Sequence, residues 1–205
     1  MPRDDYLTIL EPGTAQLRVL GSRFVGTALA ISNEDDIAEL LAAERKQYHD
    51  ATHWCYAARW GVEPAITERA NDAGEPKGTA GIPILREIQR RGLVNALVIV
   101  TRYFGGTKLG TGNLARAYAD CAREALENAV MIRRTVSNQL IVECLYEMQS
   151  VVYHIAQKYQ ATVEPMPSES QAVMRLTFRA SLAAEISHEL GESGHGKIVI
   201  HSAST

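Results

Sequence analysis

The chain has 205 residues, 46% of them hydrophobic and 22% charged, with a formal net charge of −3. That is room for one large domain or two small ones, and the acidic balance excludes bulk attraction to polyanions, leaving only a local basic patch for that role. No apolar run approaches the roughly 20 residues that a bilayer crossing needs.

The first segment, "MPRDDYLTILEPG", lacks the basic-then-apolar order of a signal peptide. "TAQLRVLGSRFVGTALAIS" reads as two strands broken at Gly21-Ser22. Ser32-Asn33 offers a cap for a helix, "EDDIAELLAAERKQY", whose acidic start and basic end suit the helix dipole. "THWCYAARW" reads as a strand, and "ERANDAGEPKG" as a loop. The helix "AGIPILREIQRRG" follows, with Pro83 in its first turn, Thr79 as its cap and Gly92 as its stop. "NALVIVTRYF" is the most apolar strand and is expected at the centre of a sheet. A glycine loop and a helix from about Thr111 to Asn128 come next.

The short polar stretch "MIRRTVSN" marks a boundary, giving domains 1–135 and 136–205. Beyond it, "QLIVECLY", "ATVEPMP", "AVMRLTFRAS" and "KIVIHS" read as strands, and "EMQSVVYHIAQKYQ" and "LAAEISHELGES" as helices. The order is βαββαβ, the ferredoxin-like pattern, so the fold class is α+β in two domains. One face of such a sheet is often free to bind RNA, but the paired aromatics of an RNA-recognition module are missing here.

The loop after the central strand carries Gly105, Gly106, Gly110 and Gly112, with Arg102 and Lys108 beside them and Arg116 a turn into the helix. With Thr111 as cap, the amides that follow have no partner within the helix and attract anions. The spacing is neither a Walker A motif nor a dinucleotide fingerprint. Two readings stay open: an anion site built from Arg102, Lys108, Gly110, Thr111, Gly112 and Arg116, or a tight strand-to-helix turn beneath a closely packed helix. A second unusual loop holds Asp72, Gly74, Glu75, Lys77 and Thr79. If the two loops adjoin, they line one cleft; otherwise the second is a salt-bridged turn anchoring its helix.

His53 and Cys55 share one side of a strand, the spacing of a base–thiol pair, although Cys55 suits a core position better. Cys55, Cys121 and Cys144 are scattered and apolar in setting, which argues against disulfides and structural zinc and for a reducing cytoplasm. Arg23, Arg86, Arg90, Arg91, Arg133 and Arg134 flank a common groove or, more simply, form a solvated face. No cofactor and no metal are expected.

"GSRF", "HWC", "DAGEPKGTAGIPIL" and "VTRYFGGTKLGTGNLARAY" resemble the IMPACT family. The resemblance implies a ribosomal protein S5 domain 2-like fold for the first domain. It also implies a ferredoxin-like second domain similar to the last domain of elongation factor G. Its signature falls on Arg102, Tyr103, Gly105, Gly106, Leu109, Gly110, Gly112, Arg116, Ala117 and Tyr118, and on Asp72, Gly74, Glu75, Pro76, Gly78, Thr79, Ala80 and Gly81. Relatives commonly carry a second acidic residue where Ala73 stands, and glycine where Asn113 stands. The first departure weakens any paired-carboxylate or metal site. Eukaryotic relatives regulate translation, so the resemblance implies a binding protein for RNA, the ribosome or a translation factor. An enzyme acting on a small phosphorylated or anionic substrate in the cleft, and a protein–protein regulator, are the alternatives.

Overall fold

The computed structural model describes residues 4–202. The chain divides into two compact units, residues 6–134 in one, and Asp4 and Asp5 with residues 135–202 in the other. The fold is α+β in both.

In the first unit the elements are β1 (Asp5–Glu11), β2 (Gly13–Val19), β3 (Ser22–Ala30), α1 (Asp35–Gln47), β4 (His53–Trp60), β5 (Thr67–Asn71), α2 (Gly81–Arg90), β6 (Ala96–Tyr103), α3 (Thr111–Glu127) and β7 (Val130–Thr135). Five of the strands form an antiparallel sheet in the order β2-β3-β6-β4-β5. The most apolar strand, β6, is central. Its alternation assigns the two faces. Ala96, Val98 and Val100 pack under α2 and α3 with Ile84, Ile88, Tyr118 and Leu126. Leu97 and Ile99 face α1 with Ile37 and Leu41. By the same alternation Arg102 lies on the α2/α3 side, opposite Phe24 of β3 and His53 of β4.

Three segments differ from the sequence expectation. Asp5–Glu11 form β1, hydrogen-bonded to β7, and β7 takes up most of the stretch that reads as a polar boundary. The start of the expected loop "ERANDAGEPKG" is β5, an edge strand whose residues are mostly exposed, so it carries no apolar alternation. At the helix starts the expected cap is present on α1 and absent on α2 and α3. On α1, Asn33 Oδ1 accepts from the amides of Asp35 and Asp36 while Asp36 returns to those of Ser32 and Asn33. Thr79 does not cap α2, because its hydroxyl donates to the Pro76 carbonyl. The capping residue of α3 is Gly110, at φ 75°, with Thr111 already inside the helix.

The second unit holds β8 (Ser137–Cys144), a 3-10 turn, α4 (Gln149–Lys158), β9 (Thr162–Met166), β10 (Ala172–Arg179), α5 (Ala183–Gly194) and β11 (Ile198–Ser202). The antiparallel sheet runs β11-β8-β10-β9, the ferredoxin-like order. Leu140, Val142, Met174, Leu176 and Phe178 pack on Val152, Ile155, Ile186 and Leu190 of its two helices. Asp4 belongs to this unit through Ser181, whose amide and hydroxyl both donate to its carboxylate. Among the described residues no helix is long and apolar enough to cross a membrane.

Candidate anion-binding recess

The two glycine-bearing loops meet at one carboxylate. Arg102 reaches from β6 and donates from Nη1 to Glu75 Oε1 at 2.6 Å. Tyr118, from the second turn of α3, donates to the same oxygen at 2.8 Å. Both side chains of the ion pair are about 4–5% exposed. Nη2 of Arg102 donates to Ser22 Oγ at 3.2 Å, and that hydroxyl also accepts from the Gly105 amide. Glu75 therefore joins the 72–80 loop, the end of β6 and the side of α3. Phe24 meets the Tyr118 ring edge-on at 5.2 Å beneath the network.

Asp72 has a different task. Its Oδ1 accepts from the amides of Ala80 and Gly81, and its Oδ2 from that of Gly78. Burial alone would raise its carboxyl, but the three amides outweigh this and hold it below the ordinary value. Asp72 thus fastens the loop and stands in for a cap on α2. Gly74 turns at φ 89° above the His53 ring, and Lys77 is exposed.

His53 and Cys55 do share a face, but each is engaged. His53 Nδ1 lies 2.9 Å from the Ala73 carbonyl, and its Nε2 lies 3.9 Å from Glu75. Cys55 is fully buried, with Sγ 3.0 Å from the Asp72 carbonyl and 3.3 Å from Tyr118 Oη. Burial pushes its thiol up to about 12, and the same holds for Cys121. A base–thiol pair is not built here. A thiol titration with a disulfide reagent at pH 8 is expected to find the cysteines silent in the folded chain and all three reactive in denaturant. A fast native thiol that disappears in Cys55→Ser would reverse this conclusion.

Beside the network lies a cavity of about 320 Å³. Arg102, Phe104 and Pro76 line one part of it, and Lys108, Leu109, Gly110, Thr111 and Leu114 the rest. The first backbone bond of α3 runs from the Leu114 amide to the Gly110 carbonyl. The amides of Thr111, Gly112 and Asn113 precede it and have no partner among the described residues. A Cβ placed at Gly110 or Gly112 would meet nothing within 4 Å, so the approach is open. Lys108 is exposed and makes no ion pair among the described residues. Arg116 is exposed and lies off the cavity wall. The recess thus gathers Arg102, Lys108, Gly110 and Thr111, and Gly112 follows in α3 outside the lining. Glu75 acts behind it, and Asp72 and Thr79 support the loop.

The remaining basic residues are mostly engaged. Arg90 pairs with Glu87, Arg91 with Glu127, and Arg23 lies over the Tyr103 ring. A larger cavity, about 550 Å³, runs along α5 in the second unit. Its lining includes Glu185, Glu189 and Glu192, which oppose an anion. Among the described residues no three His, Cys, Asp or Glu side chains are grouped to hold a metal.

Ser22 and Tyr118 complete the network, though neither is among the expected site residues. The available signal was their presence in the "GSRF" and "NLARAY" motifs. In the sequence Phe104 stands only as the end of a strand.

An α/β unit with a glycine-edged recess between two strand-to-helix loops, joined to a ferredoxin-like unit, is the architecture these observations define. The Impact N-terminal domain model matches residues 20–126, which contain the entire recess. The chain belongs to the IMPACT family. IMPACT family member YvyE of Bacillus subtilis is 40% identical over 129 residues, which are 63% of this chain and 59% of that protein. An IMPACT family member of Haemophilus influenzae is 30% identical over 200 residues, 96% of each chain. IMPACT family member YigZ of Escherichia coli is 27% identical over 197 residues, 95% of this chain and 96% of that one. A crystal structure of a hypothetical protein shares the fold, with a TM-score of 0.67 at 24% identity over 98% of both chains.

Proposed function

We propose that this protein binds RNA through the α3 recess and acts on translation in that way. The observation that carries the reading is the set of free amides at Thr111, Gly112 and Asn113 beside the unpaired charge of Lys108. Amides at a helix start and a lone lysine suit a phosphate group. Arg102 contributes less charge than its position suggests, because Glu75 neutralises it. The translation setting comes from the family resemblance.

An enzymatic reading has less support. Its acid–base candidates are committed, Asp72 to three amides and Glu75 to Arg102 and Tyr118.

The test is a salt series with a labelled RNA and the full chain. Binding is expected to weaken steeply with salt, and Lys108→Ala to weaken it for all sequences alike, since a phosphate contact carries no base information. The log–log salt slope is expected to flatten by about 0.7, the value for one phosphate on a single strand. Absence of binding at low salt overturns the reading. Ribosomes or translation factors retained by Lys108→Ala after nuclease treatment would instead favour a protein partner.

A further inference from the structure

We propose that the recess takes an unpaired base as well as a phosphate, so that the RNA it binds is single-stranded. This rests on the RNA-binding reading and adds to it an observation that a phosphate site does not need. Phe104 is a large aromatic side chain left 47% exposed at the cavity wall. Its ring is backed by the Arg102 guanidinium, whose carbon lies 5.4 Å from the ring centroid. The same guanidinium lies 5.4 Å from the Phe24 ring on the sheet and is fixed by Glu75 and Ser22. The ring is thus supported from behind by a buried cation and open in front. That is the form of a stacking platform, on which the π-face of any base can rest.

The rest of the cavity suits the same occupant. Leu109, Leu114 and Pro76 give it an apolar lining, and no carboxylate among the described residues lines it. Arg102 is 4% exposed and held by Glu75 and Ser22, so it serves the cavity as a fixed support for the ring. A base stacked on the open face of Phe104 would leave its phosphate free to turn toward the amides of α3. A duplex cannot do this, because its bases are paired and stacked inside the helix and its accessible surface is phosphate and sugar. The open glycines at the rim let a splayed backbone pass without meeting a side chain.

The experiment compares one labelled RNA strand with the same strand annealed to its complement, using the full chain at low salt and fluorescence anisotropy. The single strand is expected to bind at least tenfold more tightly than the duplex. Phe104→Ala is expected to remove about tenfold of that preference, the effect of losing one stacked base, with duplex binding unchanged. Phe104→Trp is expected to keep single-strand binding, and its added indole emission to be quenched by the single strand and not by the duplex. Equal binding of the two RNAs, with Phe104→Ala silent and Lys108→Ala weakening both, overturns the base-stacking inference and leaves phosphate binding standing. Binding of neither RNA overturns both.

Discussion

Replacing Glu75 with alanine is expected to destabilise the first unit by about 3–5 kcal/mol, the range for removing one partner of a buried ion pair. The loss leaves the Arg102 guanidinium uncompensated at 4% exposure, and it also removes the acceptor of the Tyr118 hydroxyl. Urea unfolding of the full chain measures it. The control is the double variant Glu75→Met with Arg102→Met. Replacing both charges by apolar groups of similar size is close to neutral where a pair is buried, so the double variant is expected to be more stable than Glu75→Ala. A cost of about 1 kcal/mol or less for Glu75→Ala is the value for an exposed pair and would contradict the buried network.

Gly105→Ala is expected to be among the most damaging small substitutions at the described residues. A Cβ there would lie 2.0 Å from the Gly21 carbonyl carbon and 2.4 Å from the Ser22 amide nitrogen. Both are backbone atoms, which cannot rotate away, so the β2–β3 turn or the glycine loop must shift. The cost is expected above about 3 kcal/mol, at the upper end of overpacking, with loss of the proposed RNA binding because Phe104 is the adjacent residue. Gly106→Ala separates this clash from general loop strain. Its Cβ meets nothing, and only its positive φ of 84° is penalised, by about 1 kcal/mol. Similar thermal shifts for the two variants would remove the steric explanation.

The elements that the sequence made legible are those whose pattern is set locally. The strand Ala96–Tyr103 is apolar on both faces because helices cover both, and this continuous run placed it at the centre. The βαββαβ order of the second unit followed from alternation in "AVMRLTFR" and from helical spacing around it. Edge and boundary strands were not legible. Thr67–Asn71 buries almost nothing, and Val130–Thr135 has mostly exposed residues, so pairing alone defines them.

The candidate site divides in the same way. That the 72–80 and 102–112 loops are special was visible from their glycines and charges. What those charges do was not, because each partner is distant along the chain. Arg102 meets Glu75 across 27 residues and Ser22 across 80. Asp72 stands in the sequence as one of the cleft's charged residues, yet its acceptors are filled by amides six to nine residues on. Phe104 looked like strand packing, since the sequence does not tell which end residue of a buried strand emerges beyond the sheet.

The segment after β6 has the composition of a flexible linker, yet its first residues are held in place. The Phe104 amide donates to Thr52 Oγ1, and the Gly105 amide donates to Ser22 Oγ against a touching backbone. Walls that are set before a ligand arrives leave little conformational entropy to lose on association, so more of each contact appears as affinity. Capture of the proposed ligand is then expected to be governed by diffusion and charge steering, without a slow rearrangement of the loop.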